Sequence, residues 1–253
     1  MKSAKLTKET LSTHFHYGRF IYIVLGLLAF GLSDLIFTTT AYQTPGWRLV
    51  DIQLVGPYAN VDVLNDVAAR ALKDGQAYET AQAVAAGTAL PDQPYEAPLQ
   101  EVRFTFLSFS ADDYVGLDKL TAQLAAWEGD IYIVSKDQLQ FLLDNQCAEP
   151  LDDYIARGIL KPGDRDLSQV TFPAYADSGE PAGTTHVYAL QADELNGLIG
   201  DGNTTFAFDV RGTYMVLTSF SENKDTSAVV MQSLIDQLTA PLPAWLSTPR
   251  PTS

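Results

Sequence analysis

Cysteine is nearly absent from this 253-residue chain: Cys147 stands alone. A single thiol excludes a disulfide framework, and it excludes any Cys-rich zinc or iron–sulfur centre. Positive charge is also scarce, with 16 Lys and Arg against 31 Asp and Glu and a formal net charge of -15. Nucleic-acid binding needs clustered Lys and Arg to meet phosphates, so no nucleic-acid partner is expected. General adhesion to anionic lipid headgroups is excluded on the same ground. Histidine is limited to three residues. Several chemical signatures are missing altogether, namely Gly-x-Ser-x-Gly, His-Glu-x-x-His, the Walker A run and the Gly-rich dinucleotide loop. With 46% hydrophobic and 11% aromatic residues, the chain can nevertheless bury a substantial core.

One long apolar run is present. Phe20–Phe37 is interrupted only by Ser33 and Asp34. Its eighteen residues would cover roughly 27 Å as a helix, close to the hydrocarbon thickness of a bilayer. Tyr17, Tyr22 and Tyr42 suit the interfacial belts, and Asp34 lies near enough to one end to reach interfacial water. Lys2, Lys5, Lys8 and Arg19 precede the run with Glu9 as the one acid, whereas residues 38–253 hold 12 Lys and Arg against 29 Asp and Glu. The asymmetry predicts a cytoplasmic tail over 1–19, a transmembrane signal anchor over 20–40 and an extracytoplasmic domain over 41–253. A cleaved signal peptide is the competing reading, with Thr39-Thr40-Ala41 as a passable cleavage site. The 19-residue polar leader and the length of the apolar run favour the uncleaved anchor. The bilayer is thus the first expected partner.

The remaining chain alternates between strand and helix signals. Asp51–Val55 reads as a strand stopped by Gly56-Pro57, and Asn60 can cap a helix carrying Val61, Leu64, Val67, Ala68, Ala71 and Leu72 on one face. Asp74-Gly75 is expected to end that helix, with a second helical stretch running to about Ala86. Val102–Leu107 is a second strand, and Ser110 with Asp113 forms a capping-box pattern. The helix it opens should turn Tyr114, Leu117, Leu120, Leu124 and Trp127 inward. Ile131–Val134 is a third strand, and Ser135 with Gln138 repeats the capping pattern before Leu139, Leu142 and Leu143. Leu151–Ile155 reads as a helical turn, and residues 161–184 contain no convincing element. Val187–Leu190 is a fourth strand, followed by a short helix near Asp193–Ile199. Thr205–Val210 and Thr213–Leu217 flank Arg211-Gly212 like an antiparallel hairpin, and Ser227–Leu238 closes the domain as a helix. The predicted fold class is α/β: a mostly parallel sheet flanked by helices, with a C-terminal antiparallel hairpin and one preceding transmembrane helix.

Candidate chemistry is sparse. His186 lacks a nucleophile and an orienting acid beside it in sequence, His14 and His16 fall before the apolar run, and Cys147 reads as a small packing residue. Asp201–Asp209 resembles a calcium loop only faintly, because Phe206 occupies the position that needs glycine and Gly212 the position of the closing glutamate. Asn203-Thr204-Thr205 fits a glycosylation acceptor, and Asp112-Asp113 and Asp152-Asp153 suit helix starts. No catalytic residue, metal site or cofactor is expected, and the chain is not expected to be an enzyme. What remains is geometric. Ligands of open parallel sheets lie beyond the carboxyl ends of the strands, near helix N-termini. Those positions are Tyr58 and Asn60 after the first strand, Ser108, Phe109 and Ser110 after the second, and Ser135, Lys136 and Asp137 after the third. Hydroxyls, an amide and two aromatics would suit a polar solute with a stackable face. Capping by Ser110 and Ser135 and packing by Phe109 is the plainer alternative.

Gly129-Asp-Ile-Tyr-Ile-Val-Ser-Lys-Asp-Gln-Leu-Gln-Phe-Leu, continued by Pro150-Leu-Asp-Asp-Tyr-Ile155, resembles the extracellular solute-binding proteins of ABC importers. The preceding strand, Ser-Ala-Asp-Asp-Tyr and helix are similar in layout, so the resemblance spans residues 48–160 and, more loosely, 186–240. Only about thirty residues separate Ile155 from Val187, so the chain resembles a single lobe of such a protein, or a much reduced two-lobed form, on a membrane anchor. The resemblance implies non-catalytic binding of a small polar solute or of a membrane or cell-envelope protein. The alternative is a structural or regulatory protein-interaction domain that has lost solute binding.

Overall fold

The computed structural model describes residues 21–33, 44–56, 59–90, 95–108, 114–165, 167–175, 181–192, 195, 208 and 212–238. The chain divides into two units, Met1–Gln43 and Thr44–Ser253. In the first, residues 21–33 form a helix, α1, with every residue exposed. Thirteen residues rise roughly 20 Å, short of a bilayer core. Among the described residues no helix is long and apolar enough to cross a membrane. Phe20 and 34–40, the rest of the expected anchor, lie outside them.

The second unit is an α/β domain built on six strands: β1 (Leu49–Gly56), β2 (Glu101–Ser108), β3 (Ile131–Ser135), β4 (Gln169–Tyr175), β5 (Pro181–Gln191) and β6 (Thr213–Leu217). Its helices are α2 (Val61–Ala85), α3 (Tyr114–Ala125), α4 (Lys136–Asp144), α5 (Asp152–Ala156) and α6 (Lys224–Leu238). The strand order is β2-β1-β3-β6-β5-β4. β1 runs parallel to both β2 and β3, whereas β6 is antiparallel to β3 and β5, and β4 is antiparallel to β5. The sheet is therefore mixed, which corrects the expectation of a mostly parallel one. β6 has β3 and β5 on its two sides. Thr205–Val210, the other strand of the expected C-terminal hairpin, lies outside the described residues except for Phe208, which bridges Ala59.

Side-chain alternation along the strands sorts the core into two halves. Val50, Ile52 and Leu54 of β1 and Ile131 and Ile133 of β3 pack with Leu64, Val67 and Ala71 of α2 and Val230, Met231 and Leu234 of α6. On the other face Val55, Tyr132 and Val134 pack with Leu120 and Leu124 of α3 and Leu139 and Leu142 of α4. The result is three layers, with α2 and α6 on one face and α3 and α4 on the other.

Three further expectations are revised by packing. Asp74-Gly75 does not end the helix: α2 is continuous for 25 residues. A Cβ on Gly75 would lie 2.6 Å from the Leu99 side chain, so this glycine serves close approach rather than termination. Residues 161–184, expected to be without elements, supply a 3-10 turn at Pro162–Arg165, all of β4 and the first residues of β5. Trp127, expected to point inward from α3, lies two residues beyond the helix end and is 75% exposed. The expected helix near Asp193–Ile199 falls outside the described residues, except for buried Leu195.

Candidate functional site

The polar residues of the central strands share one face and one end. In β1, Asp51 and Gln53 alternate with the apolar residues that meet α2, so both turn toward the α3 side. In β2 the register pairs Asp51 with Arg103 and Gln53 with Thr105. Near the carboxyl ends the same face is apolar, with Val55 and Leu107. A polar floor thus covers only the amino-terminal half of the two strands, beside the last turn of α3.

That floor is bonded throughout. Asp51, 7% exposed, accepts from the Gln53 amide at 2.9 Å, the Thr105 hydroxyl at 2.9 Å and the Arg103 Nη2 at 3.2 Å. Asp51 lends Arg103 its bond and charge, which holds the guanidinium above its ordinary pKa. Gln53, 1% exposed, accepts in turn from Gln123 of α3 at 3.4 Å. A buried carboxylate with three donors is a stable arrangement; with one donor removed it would be a costly one.

Above the floor is a cavity of about 510 Å³, within the size range of small-molecule sites. Its wall runs from the end of α3 through Trp127, Glu128, Gly129 and Asp130, and is completed by Phe220 and Glu222 from the segment between β6 and α6. Trp127 and Gly129 both have positive φ, at 56° and 87°. The two left-handed residues turn the chain sharply from α3 into β3 and leave the indole at the rim. Glycine is required at 129, because a Cβ would lie 2.6 Å from Gln53 Cγ and 2.9 Å from Tyr132 Cε2. Asp130 accepts from the Asp51 backbone N–H at 2.8 Å and from the Ser221 hydroxyl at 2.6 Å. Burial pushes its carboxyl above the ordinary range despite these bonds, and the charges of Asp51 and Glu222 push the same way.

The positions expected from the sequence lie at the other end of the strands. Gln53 and Gly56 are three residues apart, roughly 10 Å along β1. Asn60 caps α2, its side chain accepting from the backbone of Asp62 at 3.2 Å and Val63 at 3.4 Å. Ser135 precedes α4, and Gln138 reaches back to accept from its backbone N–H at 2.8 Å. Lys136 and Asp137 are exposed in the first turn of α4, and Ser108 ends β2. Tyr58, Phe109 and Ser110 lie outside the described residues. The structure brings Asn60, Ser108, Ser135, Lys136 and Asp137 to one edge of the sheet, but none of them lines the 510 Å³ cavity. Sequence reasoning missed Asp51, Gln53, Arg103, Thr105, Trp127 and Asp130. A usable signal was the pair of polar residues at alternate positions in each of two strands that otherwise read as buried.

Among the described residues the cavity wall offers carboxylates, amides, one hydroxyl and one guanidinium, and no His, Cys or Lys. Thr105 is its hydroxyl, and that group already donates to Asp51. Among the described residues no three His, Cys, Asp or Glu side chains are grouped so as to hold a metal ion. His186 is remote from this wall, with Nδ1 3.1 Å from Asp152. Cys147 is half-buried, and burial pushes its thiol up. The arrangement sets hydrogen-bonded polar groups along the floor of an open space, with an indole at its rim. No family model matches the chain, and neither a curated protein nor a solved structure matches it.

Proposed function

We propose that this chain is a non-catalytic binding protein whose Thr44–Ser253 domain captures a small polar solute in the cavity over Asp51 and Gln53. The cavity carries the reading: about 510 Å³ above a floor whose buried polar groups are already held in place by their own hydrogen bonds. A preformed floor of this kind loses little freedom on binding, which favours affinity. The exposed Trp127 indole supplies a stacking surface at the mouth. The similarity of Gly129–Ile155 to solute-binding proteins of ABC importers belongs to the same reading, and Gly129 and Asp130 of that stretch form part of the wall. Membrane anchoring through residues 20–40, with the domain outside the cell, completes the proposal. It is supported by the unbroken exposure of the apolar helix α1 and by the charge asymmetry across that segment.

A thermal-shift screen of the full chain against sugars, amino acids, amines, carboxylates and short peptides tests the solute reading. A ligand at about 100 times its dissociation constant stabilises by roughly 2.7 kcal/mol, a shift of some degrees in Tm. The expected result is a saturable shift with one class. A cooperatively melting protein that no class shifts would contradict it. Trp127, 75% exposed at the cavity mouth, favours a second reading in which this face receives a protein partner.

A further inference from the structure

The exposed apolar side chains of the domain gather at one end. Among the described residues of Thr44–Ser253, the exposed large hydrophobics are Trp47, Val61, Leu90 and Trp127. Val61 opens α2 beyond the carboxyl end of β1, whereas the other three stand at the amino end of the sheet. Trp47 lies in the 3-10 turn Gly46–Arg48 directly before β1, with the Arg48 guanidinium 4.2 Å from its ring centre. Trp127 lies between α3 and β3, three residues before Asp130, which bonds to Asp51 near the start of β1. Leu90 arrives there because α2 runs back along the sheet and overshoots it. Gln76 and Glu79 already bond to Leu99, two residues before β2, at 3.0 Å and 2.7 Å. Residues 80–85 carry the helix roughly 9 Å further, and the Thr88 and Ala89 N–H groups donate back to Ala83 at 2.9 Å and 3.1 Å. A second, independent observation is the tether. Only residues 38–43 separate the apolar run Phe20–Phe37 from Thr44, and a fully extended chain covers at most about 25 Å over that stretch.

We propose that the amino end of the sheet is a membrane-facing surface, lying on zwitterionic lipid with the Trp47 and Trp127 indoles and the Leu90 side chain in the interfacial layer. This rests on the anchor in the reading above and not on the identity of any solute. An indole suits the interface because its ring is apolar and its N–H is polar. The tether holds the domain at high local concentration beside the bilayer, so weak contributions from three side chains are enough. The charged groups at this end are Glu96, Glu101, Glu128 and Glu222 with Arg48 and Arg103, acidic on balance, which selects zwitterionic over anionic lipid. A second copy of the chain is the poorer occupant. Residues 38–253 hold 12 Lys and Arg against 29 Asp and Glu, so two copies would meet like charge with like.

Quenching of tryptophan emission by brominated lipid tests the proposal on the full chain reconstituted in phosphatidylcholine vesicles. The chain has three tryptophans, so Trp245→Phe combined with Trp47→Phe or with Trp127→Phe leaves one indole to report. The expected result is a loss of emission from either indole when the acyl chains carry bromine near the headgroup, relative to unbrominated vesicles. A variant with all three tryptophans changed to Phe and Lys136→Trp added, beyond the carboxyl end of β3, is expected to keep its emission. Trp47, Trp127 and Lys136 are exposed, so these changes should leave folding intact, and an unchanged Tm checks this. Flotation with the vesicles reports anchoring separately. A chain that floats while Trp47 and Trp127 keep their emission would overturn the membrane-facing surface and leave the anchor standing. Equal loss from position 136 would overturn it as well, because no one end of the domain would then face the lipid. Protection of both indoles from aqueous acrylamide without quenching by bromine would give the surface to a protein partner or a second copy instead. A chain that does not float would overturn the anchor and the surface together.

Discussion

Gly129 is constrained twice over, by a φ of 87° and by two side chains that occupy the space a Cβ would need. Gly129→Ala is therefore expected to destabilise the domain by about 2 kcal/mol, measured by urea unfolding. A change within a few tenths of a kcal/mol would mean that the turn into β3 relaxes freely. The neighbouring Asp130 makes a different prediction. Burial and the nearby charges of Asp51 and Glu222 raise its carboxyl in the folded chain, so folded protein holds this proton to a higher pH than unfolded protein does. Between the ordinary carboxylate value and the raised one, the folded state binds more protons, and this group's contribution to stability falls as pH rises. Asp130→Asn should flatten that part of the curve of Tm against pH. An unchanged curve would show that Asp130 titrates normally. At this scale the sequence was partly readable. Asp51 and Gln53 sit at alternate positions in an otherwise apolar strand, but their convergence with Arg103, Thr105 and Asp130 depends on strand register, which no single segment encodes.

Among the elements, those bounded by strong local signals were legible. β1 ends at the Gly56-Pro57 pair, α2 starts at a capping Asn60, and α4 starts at Ser135 with Gln138 three residues on. β4 was not legible because Pro173 interrupts Gln169–Tyr175, and a proline argues against a strand that must donate on both sides. Among the described residues β4 is the sheet's last strand, paired with β5 alone, and there a proline is tolerated. Gly75 misled for the opposite reason: a helix-ending residue was placed inside α2 to admit Leu99. Asn60 offers a test between roles at the element scale. Its side chain is engaged with the first turn of α2, so Asn60→Ala should cost about 1 kcal/mol of stability. Ligand affinity at the cavity should be unaltered, and a loss of binding without a loss of stability would return the site to the strands' carboxyl ends.

For the whole molecule, alternating strands and helices announced an α/β domain, but strand direction is not written in periodicity. β6 enters antiparallel between β3 and β5, and that long-range choice made the sheet mixed. The anchor proposal is also a statement at this scale. The full chain should sediment with membranes and resist extraction by high salt and alkaline carbonate, yield to detergent, and become soluble when shortened to residues 44–253. Extraction by salt alone would contradict an anchor. The most direct measurement compares two variants by calorimetry, Trp127→Ala at the cavity mouth and Lys136→Ala at the carboxyl end of β3, each titrated with the solute that gives the largest thermal shift. If the cavity over Asp51 and Gln53 is the binding site, Trp127→Ala weakens binding by about tenfold or more and Lys136→Ala leaves it unchanged. Binding that survives Trp127→Ala and is lost with Lys136→Ala would contradict the account.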